Sequence, residues 1–109
     1  MKPLIDIMSL KKMLGSDILV DKVPKSFYKH YCDFNEQIES LEKDFEARNR
    51  YLHGLKGASG SIQAMSVYKF IVDLEKVDES EKNSLIPKLK VMMNQLLDEI
   101  KTNWKIQTS

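Results

Sequence analysis

Apolar residues recur along this chain at helical spacing, in stretches separated by short polar breaks. The first stretch, Ile7, Met8, Leu10, Met13 and Leu14, ends at Gly15, a residue suited to closing a helix. It predicts a short helix over 5–14 that caps one end of a larger body. Phe27, Tyr31, Phe34, Ile38 and Leu41 follow at steps of four, three, four and three. They form one stripe on a helix over 17–43 that starts between Ser16 and Pro24, with Pro24 in its first turn or at a kink. Asp44 is placed to cap a helix over 45–61, with Glu46 in the first turn against the helix dipole. Its apolar stripe is Phe45, Leu52, Leu55 and Ile62, with Arg48 and Ser59 on intermediate rungs. Gly60 to Ala64 predicts a turn, and Val67, Phe70, Ile71, Leu74 and Val77 a helix over 65–77. After the polar segment Asp78 to Ser84, Leu89, Met92, Met93, Leu96, Ile100 and Trp104 mark a last helix over 81–104. Ser80 or Ser84 would cap it, with Pro87 in its first turn.

Four amphipathic helices with short connections pack most simply as an antiparallel up-and-down four-helix bundle, with the short N-terminal helix added. The expectation is one all-α domain spanning residues 1–109. Four glycines and three prolines in 109 residues agree with long helices rather than a sandwich of short strands. The Met and aromatic stripes fall at the spacing burial demands, so they read as core.

Charge removes several classes of function. Seventeen basic and sixteen acidic residues leave a net charge of +1, and the two signs are interleaved. No field of one sign would recruit nucleic acid or an anionic membrane. Cys32 is the only cysteine, so an intrachain disulfide and a cysteine-based metal cluster are both excluded. No uninterrupted apolar run approaches the roughly 20 residues of a spanning helix, and Asp6 interrupts any signal-peptide core. These features predict a soluble, cytoplasmic domain.

The segment 45–61 carries the informative residues. With about 100° of rotation per residue, its apolar stripe centres near Leu55 and Ser59, and His53 lies roughly 140° away. The imidazole is therefore expected to face solvent. Its neighbours on that face are Asn49, Lys56, Gly57 and Gly60, with Glu46 and Arg50 further back. Each glycine inside a helix costs about 1 kcal/mol relative to alanine. Bare backbone around an imidazole has one evident use, to let a large object reach it. Lys56, one turn on, sets an ammonium where a phosphoryl group on His53 would sit.

Other histidine chemistries need companions that the sequence does not supply. A triad requires a nucleophile and an orienting carboxylate; Ser59 and Ser61 are nearby in sequence, but Ser59 falls on the buried side of the helix. A metal site requires converging ligands, and His30, the only other histidine, stands on another helix without ligand-type spacing. What remains is direct nucleophilic attack by a ring nitrogen on phosphorus, with Lys56 stabilising charge on the phosphoryl oxygens.

The run His53-Gly54-Leu55-Lys56-Gly57-Ala58-Ser59-Gly60-Ser61-Ile62-Gln63-Ala64 resembles the signature of the histidine-containing phosphotransfer (HPt) family. There, His is followed by x-Leu-Lys-Gly and Ser or Ala, and shortly by Ile-Gly-Ala. The resemblance extends to Asp44, nine positions before the His, to Leu74-Glu75 in the next helix, and to Met13-Leu14-Gly15-Ser16-Asp17 and the Phe27 region. Carried over by position, His53 would be the phosphorylated residue, Lys56 its charge partner, and Gly57 the small residue that clears the approach. Gly60 would support that clearing, and Glu46, Asn49 and Arg50 would rim a docking surface. Three positions depart from the pattern. Leu52 stands where alanine is common, Gly54 where a small hydroxyl is common, and Gln63 where glycine precedes the Ala.

The resemblance implies a cytoplasmic, monomeric phosphocarrier rather than an enzyme, free or fused behind a hybrid sensor kinase. It would carry a phosphoryl group between receiver-domain aspartates, binding no cofactor itself, with Mg²⁺ supplied by the receiver. No Gly-rich nucleotide loop is present to support self-phosphorylation. Two other readings compete: a bundle that docks a receiver or kinase without transfer, and a purely structural dimerisation element. Both His53 and Lys56 being present speaks against the first. Four helices in one chain, enough to close a core, speak against the second.

Overall fold

The computed structural model describes residues 3–107, which hold six α-helices and no strand. They are α1 (Ile7–Leu14), α2 (Asp17–Tyr31), α3 (Phe34–Ser40), α4 (Phe45–Ser61), α5 (Met65–Leu74) and α6 (Glu79–Asn103). The all-α expectation holds. α4 lies along α5, while α2, α3 and α5 each meet α6, and α1 rests on α2. Between them sits one core, built from Phe27, Phe34 and Ile38, Leu52 and Leu55, Val67 and Ile71, and Leu89, Met93, Leu96 and Ile100.

The capping chemistry explains most helix ends. Asp6, Ser16, Asp44 and Asp78 each accept a backbone N–H three residues on, at Ser9, Leu19, Ala47 and Glu81. Gly15 closes α1 at φ 65°, as the pattern predicted. Gln63 takes the same left-handed conformation, φ 59°, just past α4. Its side chain donates back to the Gly60 carbonyl at 3.2 Å, and its carbonyl accepts the Asp6 N–H at 3.2 Å. The turn thus keeps the shape that a glycine there would adopt most readily.

Several sequence expectations need correction. The helix over 17–43 is two helices, broken at Cys32 and Asp33, and α3 stops at Ser40. The apolar stripe runs through the break undisturbed, with Tyr31 and Phe34 both buried, so periodicity cannot reveal it. Asp33 stabilises the restart by accepting from the Gln37 side chain at 3.1 Å. α5 ends at Leu74, not 77, in a tightened turn in which the Lys76 N–H reaches the Asp73 carbonyl at 3.1 Å. α6 begins earlier than expected, capped by Asp78 rather than Ser80 or Ser84, which leaves Pro87 in the helix interior. Both Pro87 and Asn83, whose carbonyl loses its partner, are exposed, so water can serve that carbonyl. Phe45 is 42% exposed rather than buried, and Arg48 lies over its ring 4.9 Å from the centroid. In α1 only Leu10 is buried, while Ile7, Met8 and Met13 are exposed.

Pro24 lies inside α2, so the Val20 carbonyl has no intrahelical donor. The Trp104 indole N–H, from the end of α6, donates to that oxygen at 2.9 Å. A Trp104→Phe change is expected to cost about 1–2 kcal/mol in denaturant unfolding. In a Pro24→Ala background the restored N–H serves Val20, and the penalty should shrink. Equal penalties in the two backgrounds would contradict this pairing.

Candidate functional site

α4 sets the site. Leu52, Leu55 and Ser59 face inward, and the aromatic group Tyr31, Phe34 and Tyr51 holds its inner side against α2 and α3. Burial foremost, then the nearby Asp33 and Tyr31, pushes Tyr51 far above the ordinary phenol range. With that side committed to the core, His53 points outward, and its side chain is 70% exposed.

The imidazole does not stand alone. Glu75, the residue that caps α5, reaches across with both carboxylate oxygens. Oε2 lies 3.1 Å from His53 Nδ1, and Oε1 lies 2.6 Å from Lys56 Nζ. Partial burial alone would raise the Glu75 carboxyl, but hydrogen bonds and charge from Lys56 and His53 outweigh it and hold the group below its ordinary value. An ionised carboxylate can only accept. Nδ1 of the neutral ring must therefore carry the hydrogen, which leaves the Nε2 lone pair free.

A group whose folded-state value is depressed stabilises the fold above its ordinary value and loses that contribution as pH falls. Wild-type protein is therefore expected to lose more stability than Glu75→Gln when pH drops from 6 to about 3, below the ordinary carboxylate value of about 4.3. Urea midpoints at the two pH values test this, and equal losses would contradict it.

No family model, curated protein or solved structure matches this chain. The chemistry of the site therefore rests on its own residues.

Gly57 faces open space, with no atom within 4 Å of where a Cβ would stand. Gly54 is nearly as free, 3.8 Å from the Tyr31 hydroxyl on the same measure. At Gly60 a Cβ would meet the Tyr68 ring at 3.3 Å, so this glycine admits α5 close to α4. Its bareness has a packing reason that the sequence did not reveal.

The remaining sequence candidates fall together. Glu46, Asn49 and Arg50 line a shallow, open depression of about 440 Å³ with His53 and Glu75. Glu46 and Arg50 are exposed and pair with each other at 3.3 Å. Asn49 is tied inward. Its amide donates to Glu79 at 3.1 Å, and its carbonyl oxygen accepts from Lys82 at 3.2 Å. Glu79 also accepts from Arg48 at 2.9 Å and from Lys82 at 3.2 Å, so a polar network fastens α4 to the start of α6. The Asn49 hydrogen bond, then Arg48 and Lys82, hold the Glu79 carboxyl below its ordinary range.

Sequence reasoning missed Glu75 as part of the site, having placed it only as a family-like Leu-Glu pair. It also missed the Arg48–Glu79–Lys82 network. The available signal was indirect: two acids flanking a helix break, opposite a face rich in cations. Among the described residues, no group of three or more His, Cys, Asp or Glu side chains converges to hold a metal ion. Nor is any helix there long and apolar enough to cross a membrane.

Proposed function

We propose that this chain is a histidine phosphotransfer domain that carries a phosphoryl group on His53 between receiver-domain aspartates. The observation that carries the reading is the His53 imidazole, 70% exposed on the outer face of α4, with an ammonium one turn away and open space over Gly57. In this reading the helices form an up-and-down four-helix bundle, with α2 and α3 acting as one interrupted member and α1 as a cap. The domain works as a cytoplasmic monomer and has no catalytic centre of its own. Its partners are receivers, which supply Mg²⁺ and the aspartate.

The chemistry follows from the site. His53 Nε2 attacks the phosphorus of an aspartyl phosphate, an N–P bond forms, and the P–O bond to the aspartate carboxylate breaks. Lys56 swings from Glu75 to the phosphoryl oxygens and offsets their charge. Glu75 keeps the ring from turning and fixes which nitrogen attacks. Glu46 and Arg50 form a charged rim suited to a small, transient docking contact.

Incubation with a labelled, phosphorylated receiver tests the reading. Acid-labile, alkali-stable label is expected on the wild type and none on His53→Gln. Label retained by the variant would overturn it.

A further inference from the structure

We infer that Glu75 sets how readily the phosphoryl group leaves His53, by holding the proton on Nδ1 throughout the phosphorylated state. This rests on the phosphocarrier reading and extends it from loading to release. When the N–P bond breaks, the bonding electron pair returns to Nε2. If Nδ1 bears a proton, the departing group is neutral imidazole. If Nδ1 is bare, the departing group is imidazolate, a far stronger base and a far poorer leaving group. The phosphoryl group passes to an aspartate carboxylate oxygen of the receiver, or to water, and no further proton is needed at the ring.

The geometry supplies the device. Glu75 Oε2 faces Nδ1 at 3.1 Å, and its carboxylate is held ionised beside Lys56. Once Lys56 turns to the phosphoryl oxygens, the negative charge of Glu75 faces the Nδ1 proton alone, and its attraction strengthens. The other charged groups facing the ring are Glu46 and Arg50 on α4, which neutralise each other at 3.3 Å. From the start of α6, Glu79 is occupied by Arg48, Asn49 and Lys82. On the α2 side the Tyr31 hydroxyl lies beside Gly54, and burial keeps it protonated. With Lys56 turned to the phosphoryl oxygens, Glu75 is, among the described residues, the charge left in hydrogen-bond contact with Nδ1.

Release is therefore expected to be nearly independent of pH in the wild type and steeply dependent on pH without the carboxylate. The test uses full-length protein loaded chemically with phosphoramidate, which needs no receiver. Loss of phosphoryl from the ring, and transfer to an added receiver, are followed between pH 6.5 and 8.5. Wild-type rates should change less than about threefold, while Glu75→Gln should slow by about tenfold per pH unit above the ordinary imidazole value near 6.5. Lys56→Met, which keeps Glu75, should slow transfer at every pH without changing the shape of the profile. Nitrogen-15 spectra of the unloaded protein give a second readout, with the proton on Nδ1 in the wild type and shifted toward Nε2 in Glu75→Gln.

Parallel profiles for wild type and Glu75→Gln, on protein labelled at His53, would overturn the inference and leave the phosphocarrier reading intact. Absence of label at His53 under phosphoramidate and receiver alike would overturn both.

Discussion

Replacing Lys56 with alanine is expected to slow phosphoryl transfer to His53 by about tenfold to a hundredfold, with little loss of stability. In the proposed transfer the ammonium would meet charge that develops on the phosphoryl oxygens, so its removal should raise the barrier more than it weakens the resting protein. The effect stays below that of a fully enclosed anion site because His53 stands largely in water, where each charge interaction is weaker. In the resting state Lys56 pairs with Glu75 near the surface, and such pairs contribute about 0–1 kcal/mol. Transfer rates and urea unfolding on the same preparation separate the two effects. A variant that unfolds more easily but transfers at the wild-type rate would make Lys56 a structural residue.

Gly57→Leu is expected to act in opposite directions on stability and on transfer. Leucine is favoured over glycine inside a helix by roughly 0.5–1 kcal/mol, and the site holds no atom within 4 Å to resist it. The variant should therefore unfold at a higher denaturant concentration. A long side chain on a helix leans toward the preceding turn, and residue 53 lies one turn before residue 57. Leucine would cover the imidazole on the side the proposed receiver would use, and the displaced reacting atoms should slow transfer by more than about tenfold. A more stable protein that transfers normally would show that the glycine does not clear an approach.

The site was legible where it depended on one helix. Asp44, Leu52, Leu55 and Ser59 fix the bounds and rotation of α4, and the outward direction of His53 follows from counting residues. It was not legible where it depended on a neighbour. Glu75 reaches the site only because α5 stops at Leu74, and that stop comes from a tightened turn with no proline or glycine to announce it. Gly57 and Gly60 look alike in the sequence, yet one faces open space and the other faces Tyr68. The break at Cys32 and Asp33 preserves the apolar stripe and so leaves no mark in the pattern. The role of Trp104 was hidden for a similar reason, since its partner is a carbonyl orphaned by Pro24 eighty residues earlier in the chain.

Site-resolved mass spectrometry of the full chain, after incubation with a phosphorylated receiver and Mg²⁺, tests the phosphocarrier claim most directly. One phosphoryl group is expected, on the His53 imidazole, and it should pass to a second receiver when that protein is added. A phosphoryl group found on His30 or a serine, or an unmodified chain that still binds the receiver, would contradict it.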